Sequence, residues 1–211
     1  EPLLRRPFSI HRITGGLEIL YEVVGEGTAI LSQRKPGESL DIVGPLGNGF
    51  DYRPEAKSQK PQILVAGGMG VAPLLFLAEK LKHRKLLVLI GAKTKSQILC
   101  AGEFKKLGCA VKIATNDGSR GYKGKVTDLL SKILPLAISH KPLAIYACGP
   151  RPMLKKVSSI ARGFGVAARI SLEAHMACGI GACSGCVVQT RHGFMRVCKE
   201  GPVFDADEIT W

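Results

Sequence analysis

Four cysteines near the end of this 211-residue chain constrain its fold more than any other feature of the sequence. Their spacing is Cys178-x4-Cys183-x2-Cys186-x11-Cys198, with glycines between the first three. Glycine permits positive φ and keeps Cβ atoms from blocking the approach of backbone N–H groups. The segment therefore predicts a tight loop that wraps around a compact anionic group.

The first three cysteines follow the C-x4-C-x2-C spacing that is typical of [2Fe–2S] centres, with a fourth cysteine farther along. The alternative is zinc, but zinc sites of four cysteines usually combine two C-x2-C pairs, and this segment has one. The spacing therefore favours an iron–sulfur cluster. Cys100 and Cys109 stand apart, and we expect both to be inert buried thiols. The expected cluster ligands are Cys178, Cys183, Cys186 and Cys198.

Charge and hydropathy restrict the partners of the chain. The net charge is +13, but Lys and Arg are spread along the sequence and no nucleic-acid motif is present. A solvated basic surface is the simplest interpretation, and a dinucleotide or an acidic partner subunit would also suit it. No apolar run reaches the roughly 18 residues of a membrane span, and no signal peptide is recognisable. We therefore expect a cytoplasmic protein that binds neither nucleic acid nor membrane. The first residue is not Met, so we expect that the chain starts partway through a longer protein or that it was processed or trimmed.

The hydrophobic pattern divides the chain into regions. Residues 1–50 contain the strand-like segment Leu17–Val24 and dense turn chemistry at Gly44–Gly49, which predict part of a small β-barrel. Asp51–Gln62 is polar, contains two prolines and is interpreted as a linker. Alternating strands and helices follow, and they predict an open, doubly wound parallel sheet with helices on both faces. The strands are predicted at Ile63–Ala66, Leu86–Gly91, Ala110–Ala114, Leu143–Cys148 and Ala168–Leu172, and the helices at about Pro73–Lys82, Val126–Ile133 and Arg151–Arg162.

Three turns in the alternating region are candidates for binding a dinucleotide, because ligands bind at the carboxyl ends of strands in such sheets. The first, Gly67–Pro73, is a glycine turn that opens a helix, where free N–H groups favour a pyrophosphate. It is not the G-x-G-x-x-G fingerprint, because Pro73 takes the third glycine position, and a tight turn without ligand is the alternative. The second is Cys148-Gly149-Pro150. The third, Thr115–Ser119, has an Asx turn as its alternative. The candidate residues are Gly67, Gly68, Gly70, Pro73, Asp117, Cys148, Gly149 and Pro150.

Near the N-terminus, Arg6-Pro7-Phe8-Ser9 opens a strand. An arginine can pair with a phosphate through two hydrogen bonds, and a serine hydroxyl can bond the edge of a flavin ring. The alternative is that Arg6 and Ser9 are simply exposed surface residues.

Together these residues resemble the ferredoxin reductase superfamily and, within it, the electron-transfer subunits of class 1B dihydroorotate dehydrogenases. The resemblance covers essentially the whole chain. It is most specific over Glu173–Cys186 and continues through Arg196–Phe204. The stretches that match the family's FAD contacts are Arg6, Pro7, Phe8 and Ser9, then Leu20, Tyr21 and Glu22, then Gly27 and Thr28.

The resemblance implies three domains: an FAD-binding β-barrel over residues 1–55, an NAD-binding α/β domain over 56–172 and a small [2Fe–2S] domain over 173–211. Family members have additional barrel residues before the Arg-Pro-x-Ser motif, whereas this chain has five residues there. We therefore expect the barrel to be N-terminally incomplete.

The resemblance also implies a reaction. A partner subunit oxidises dihydroorotate at its FMN, and electrons pass through the cluster and FAD to NAD⁺, in a heterotetramer with two copies of each subunit. Arg6 is expected at the FAD phosphate, Ser9 at the isoalloxazine edge, and Cys148 near the nicotinamide–flavin contact, unless Cys148 is only a small buried residue. No residue resembles a general base for dihydroorotate, so no catalytic residue is assigned. NAD is preferred over NADP, although Arg120 and Lys123 lie near the third turn.

Two other functions stay open at this stage. The first is a related flavin and iron–sulfur subunit of a hydrogenase or a transhydrogenase. The second is a zinc-bearing nucleotide-binding module without redox chemistry.

Overall fold

The computed structural model describes residues 4–52, 61–81, 85–138 and 144–211. In the described part of the chain, no helix combines the length and the apolar character that crossing a membrane requires. In chain order, the elements are β1 (Ile10–Ile13), β2 (Leu17–Ile19), α1 (Glu26–Ser32), β3 (Gln62–Gly67), α2 (Val71–Lys80), β4 (Leu86–Ala92), α3 (Ala101–Lys106), β5 (Ala110–Thr115), β6 (Tyr122–Lys123), α4 (Val126–Ile138), β7 (Ala144–Cys148), α5 (Arg151–Gly163), β8 (Ala167–Ser171), β9 (Val187–Thr190), β10 (Gly193–Arg196) and β11 (Val203–Asp205).

The centre of the fold is a seven-stranded sheet in the order β11-β8-β7-β3-β4-β5-β6. Its strand pairs are parallel except for β11, which runs antiparallel to β8. The central strand β3 is buried along its whole length, as expected when helices cover both faces of a parallel sheet. The sheet therefore confirms the doubly wound architecture that the alternating pattern predicts.

The two faces of the sheet carry separate hydrophobic cores. Ile63 and Val65 of β3 point into one core, which α4 and α5 cover, and Leu64 and Ala66 point into the other, which α2 and α3 cover. This alternation follows from the two-residue period of a strand. Strand β3 contributes side chains to both cores, so the helices on either side of the sheet pack against the same strand.

The predicted elements of the sheet region are present, with small shifts at their ends. The predicted endpoints Lys82 and Leu143 lie outside the described residues. Helix α4 runs on to Ile138 instead of ending at Ile133, although it contains Pro135. Leu134 is fully buried in the core, and this packing overrides the break that an internal proline favours.

Several elements do not follow from the sequence pattern. The predicted strand Leu17–Val24 is a strand only as far as Ile19, and the helix α1 follows it. The turn-rich sequence at Gly25 starts this helix because the Thr28 hydroxyl accepts hydrogen bonds from the Val24 and Gly25 N–H groups at 3.0 and 3.2 Å. Unpredicted elements elsewhere are α3, β6, β11 and the β9–β10 hairpin.

The N-terminal part is bonded to both other parts of the chain. Arg12 of β1 donates from Nε to Glu79 Oε1 of α2 at 2.7 Å, and both side chains are about three-quarters buried. Asn48 Nδ2 donates to the carbonyl oxygens of Lys199 and Glu200 at 3.0 and 3.1 Å. The segment after β2 therefore reaches the turn that carries the last cysteine of the cysteine-rich segment.

The core packing predicts a large effect of Leu75→Ala and a small effect of Leu136→Ala. Leu75 is fully buried under the sheet, so truncation leaves a cavity and costs about 2–5 kcal/mol of unfolding free energy. Leu136 lies on α4 and is 73% exposed, so its loss changes stability by about 0.5 kcal/mol or less. Urea denaturation of both variants measures the difference, and equal losses would contradict the assigned core.

Candidate functional site

The first two glycine turns leave the sheet side by side. Strands β3 and β7 are adjacent and parallel, and Ala66 pairs with Cys148 in their register. The turn Gly68–Gly70 follows β3 directly, and Gly149-Pro150 follows β7. Two of the three predicted dinucleotide turns therefore lie together at the carboxyl edge of the sheet.

These two turns touch through backbone atoms at positions where only glycine fits. A Cβ on Gly70 would lie 2.0 Å from the carbonyl oxygen of Cys148, and a Cβ on Gly149 would lie 3.0 Å from backbone atoms of Gly67. Gly149 also has a φ of +153°, which side chains rarely adopt. Gly68, with a φ of +54°, is exposed and has open space around it. The contact leaves the Gly68 backbone open to a ligand.

Two helices begin at this edge. Helix α2 begins at Val71, with Pro73 in its first turn, and α5 begins at Arg151 directly after Pro150. Neither helix has a side-chain cap or an acidic residue in its first turn. In each first turn a proline, Pro73 or Pro152, carries no N–H group, so the helix dipoles rather than a full set of free N–H groups favour negative charge there. The pair fits the pyrophosphate of a dinucleotide.

Cys148 lies beneath these turns rather than on their surface. Its side chain is only 2% exposed and packs in the core that α2 and α3 cover. Burial, and then the nearby Glu173 carboxylate, raise the pKa of the Cys148 thiol to about 12. The thiol is therefore neutral at physiological pH. Its position near a nicotinamide–flavin contact stays a prediction.

The third predicted turn contains the Asx turn named above as its alternative. Asp117 Oδ1 accepts hydrogen bonds from the Ser119 hydroxyl and N–H at 2.7 and 3.0 Å, and these bonds lower the pKa of Asp117. The Ser119 hydroxyl in turn accepts from the Lys95 N–H at 2.7 Å, in the loop after β4. The Asp117 carboxylate thus stabilises the turn in which it lies. Its role as a nucleotide ligand stays a prediction.

The cysteine-rich loop folds around its own sulfur atoms. The N–H groups of Cys183 and Gly185 donate to the Sγ atoms of Cys178 and Cys183, each at 3.4 Å. The Cys198 N–H donates to Cys186 Sγ at the same distance. Ser184 has a φ of +53°, a strained conformation of the kind that concentrates at functional sites. Backbone donors therefore face the sulfur atoms, as the glycine content predicts.

The four thiols form two pairs. Hydrogen bonds from the backbone N–H groups of Cys183 and Ile180, together with the Cys183 side chain, lower the pKa of Cys178 to about 6. Burial, and then the neighbouring Cys186, raise the pKa of Cys198. One pair therefore consists of Cys178 and Cys183, and the other of Cys186 and Cys198.

The pairing suits a two-iron cluster better than a single metal ion. Structural zinc needs four ligands around a single ion, whereas a [2Fe–2S] cluster spreads four thiolates over two irons. The four cysteines therefore fit the cluster that their spacing predicts.

The first stretch of candidate flavin residues is exposed, and it contacts the second stretch. Arg6, Pro7, Phe8 and Ser9 are exposed. The ring of Phe8 meets Tyr21 edge to face, with 5.6 Å between centroids, so two of the three stretches lie together. In the third stretch, Thr28 is buried and its hydroxyl holds the start of α1, next to the half-buried Gly27. Available contacts to a flavin are therefore mainly in the first two stretches.

Three residues that hold the cysteine-rich segment do not stand out as functional residues in the sequence. They are Asn48, described above, and the ion pair of Arg196 with Glu200. Arg196 Nη1 donates to the Gly181 carbonyl at 2.9 Å, inside the cysteine loop. Arg196 lowers the pKa of Glu200 to about 2 through its hydrogen bonds. The sequence signal was an opposite-charge pair four residues apart that brackets Cys198.

Two family models match the regions that carry these sites. One, described as the iron-sulfur cluster binding domain of dihydroorotate dehydrogenase B, matches residues 173–210. The other, described as an oxidoreductase NAD-binding domain, matches residues 64–159. The iron-sulfur model therefore covers all four paired cysteines, and the NAD-binding model covers the two glycine turns that contact each other through backbone atoms.

Curated relatives match over the full chain. A dihydroorotate dehydrogenase B (NAD(+)) electron transfer subunit of Desulforamulus reducens is 42% identical over 221 residues, covering 100% of this chain and 82% of the relative. The subunit of the same name from Caldanaerobacter subterraneus subsp. tengcongensis is 43% identical, covering 99% and 82%.

Solved structures share the fold. An NADH-dependent reduced ferredoxin-NADP oxidoreductase, studied for flavin-based electron bifurcation, is 34% identical with a TM-score of 0.80 over 92% of this chain and 69% of its own. A flavohemoglobin from Malassezia yamatoensis has a TM-score of 0.60 at 20% identity, over 75% of this chain and 43% of its own, and shows the fold alone.

The space around two glycines predicts opposite effects of alanine substitution, because Gly70 lies in the backbone contact between the two glycine turns and Gly102 lies in open space. In Gly70→Ala, the new methyl group displaces the Cys148 carbonyl, so we expect a loss of about 1–3 kcal/mol in stability and NADH binding weaker by about tenfold or more. In Gly102→Ala, the methyl group enters open space on α3, and stability rises by up to about 1 kcal/mol with NADH binding unchanged. Thermal unfolding and NADH titration test both variants. Normal NADH affinity in Gly70→Ala would exclude this turn from the site.

Proposed function

Because this chain belongs to the dihydroorotate dehydrogenase B electron transfer subunit family, we infer that it carries electrons between a catalytic partner subunit and NAD⁺. The observation that carries the inference is the combination of two sites in one chain. The cysteine-rich segment holds four paired thiols, two nearer the surface and two buried, and a sheet edge presents two helix N-termini across a glycine-only contact. The first fits a one-electron carrier and the second a dinucleotide.

A flavin is required between the two sites, because a nicotinamide exchanges two electrons as hydride whereas an iron–sulfur cluster exchanges one, and FAD can do both. The chain's own contribution is to hold the three groups in order. The ring pair of Phe8 and Tyr21, with the exposed Arg6 and Ser9 beside it, is proposed to hold FAD. Gly68 and the first turns of α2 and α5 are proposed to hold the pyrophosphate of NAD⁺.

The segment around Asn48 is proposed to set the separation between flavin and cluster. Asn48 bonds the turn after Cys198, and a Cβ on Gly179 would lie 3.2 Å from the Leu46 side chain. The turn-rich segment Gly44–Gly49, which follows the candidate flavin stretches in the chain, is thus in direct contact with the cysteine-rich segment. Because electron transfer needs a fixed short distance, such contacts support a relay within this chain.

A catalytic partner subunit follows from the family, and we propose its finer features. The partner is proposed to oxidise dihydroorotate to orotate at FMN, in a heterotetramer with two copies of each subunit. Ile180 in the cysteine loop is 59% exposed and Val187 is 42% exposed, which supports a partner surface at the cluster. The seven cysteines are free thiols, which suits a reducing cytoplasm.

The three-domain division of the sequence analysis is also kept as a proposal. Residues 1–55 are proposed to bind FAD, 56–172 NAD⁺ and 173–211 the [2Fe–2S] cluster. The contact of β1 with α2 and the bonds of Asn48 support close packing of the three parts.

A second candidate has one observation in its favour. The ferredoxin-NADP oxidoreductase structure is 34% identical over most of this chain, so a flavin and iron–sulfur subunit that serves another partner is the alternative. Co-purification from the native host discriminates between them. Recovery of an FMN-containing dihydroorotate dehydrogenase chain supports the first function, and recovery of a hydrogenase or transhydrogenase chain supports the second.

An anaerobic visible spectrum of the purified protein, recorded before and after NADH, tests the electron relay. We expect flavin and [2Fe–2S] absorbance that NADH bleaches, because hydride enters at the sheet edge and single electrons reach the cysteine loop. Reduction that stops at the flavin would contradict the relay. A colourless protein that contains one zinc and no iron would overturn the redox function altogether.

A further inference from the structure

Arg196 and Glu200 make a closed turn around the last cysteine. The Glu200 carboxylate accepts from the Arg196 backbone N–H at 2.7 Å and from its Nε at 3.0 Å. The backbone N–H of Glu200 donates back to the Arg196 carbonyl at 2.9 Å. Cys198 lies between the two residues in sequence, so these bonds define the turn that presents its sulfur.

The same guanidinium reaches the other side of the proposed cluster. Its Nη1 donates to the carbonyl of Gly181, midway along the loop between Cys178 and Cys183. Loop and turn also touch directly, because a Cβ on Gly181 would lie 2.7 Å from the Lys199 side chain. Arg196 therefore connects the segment of one thiol pair to the segment of the other.

The charges of the pair are held partly out of water. The Arg196 and Glu200 side chains are 31% and 30% exposed. Charges that are shielded in this way are screened by salt less than those at an open surface. The carboxylate uses both of its oxygens on Arg196, so the positive charge beside the cysteine loop is matched by a negative one.

We propose that Arg196 and Glu200 are a positioning and charge-balancing pair for the [2Fe–2S] cluster. Arg196 holds the two halves of the cysteine segment together, and Glu200 neutralises the guanidinium so that the pair adds little net charge. This inference rests on the proposed function, because it requires the cluster.

The proposal fixes the signs of two shifts in reduction potential. Reduction adds one negative charge to the cluster, so a nearby cation stabilises the reduced form and an unpaired carboxylate destabilises it. Arg196→Gln leaves Glu200 uncompensated and lowers the midpoint potential. Glu200→Gln leaves Arg196 uncompensated and raises it. The double variant returns close to the wild-type potential.

The test is a redox titration of the purified protein, followed by the electron paramagnetic resonance signal of the reduced cluster. Arg196→Lys adds a further comparison, because it keeps the charge but loses the planar fork. We expect its potential to stay near that of the wild type, while iron is lost to a chelator several times faster. Arg34 and Glu38 form a matched control pair, also four residues apart. Arg34→Gln and Glu38→Gln should leave the potential unchanged.

The outcomes separate this proposal from the proposed function. If the pair had a purely structural role, the midpoint potential would shift in the same direction in Arg196→Gln and in Glu200→Gln. That result, or an unchanged potential in both variants, would refute the charge-balancing role without affecting the proposed electron relay. If Arg196→Gln does not retain the cluster, the Glu200→Gln variant alone tests the proposal. An unchanged midpoint potential in Glu200→Gln would then refute charge balancing. A wild-type protein without iron and acid-labile sulfide would remove the proposed function and this inference with it.

Discussion

The parallel pairing of β3 with β7 is the interaction on which the rest of the structure depends. Both strands lie in the centre of the sheet, and their register sets Ala66 opposite Cys148, so that both glycine turns leave the sheet at the same level. Gly70 then rests on the Cys148 carbonyl at a distance that excludes any side chain. Because α2 and α5 begin at these turns, the buried core and the candidate dinucleotide site are positioned by the same strand pair.

The N-terminal part is attached to this frame by polar bonds and by apolar packing, because Leu20 and Phe50 pack against the core that α2 and α3 cover. Arg12 pairs with Glu79 on α2, and Arg169 of β8 donates to the Asp51 carbonyl at 2.9 Å. Asn48 bonds the turn after Cys198. These bonds and the apolar contacts together fix the position of the N-terminal part. In the proposed relay, they determine how far the flavin segment lies from the cluster.

The two thiol pairs differ in their surroundings, and this difference suits a relay between two proteins. Cys183 is exposed in the outer pair, whereas Cys186 and Cys198 are each only 4% exposed. The outer pair lies where a partner can approach, and the inner pair packs against the core that α4 and α5 cover. The chain carries a net charge of +13, yet Arg196 is balanced locally by Glu200. Charge at the cluster is thus set by specific neighbours and not by the composition.

The sequence by itself determined the features that depend on local geometry. The cysteine spacing, the glycine turn at Gly67–Gly70 and the alternation of strands and helices are all short-range patterns, so the parallel sheet could be predicted and the four cysteines could be proposed as cluster ligands. The helix α1 was missed because Gly25-Glu26-Gly27 has turn composition, and only the Thr28 cap starts the helix. Tertiary structure alone decided the contacts between distant residues. Asn48 and Lys199 are 151 positions apart, and Arg196 and Gly181 are 15 apart. Such pairs leave no periodic signal in the sequence, because the contact depends on how the chain folds back on itself and not on the local spacing of residues.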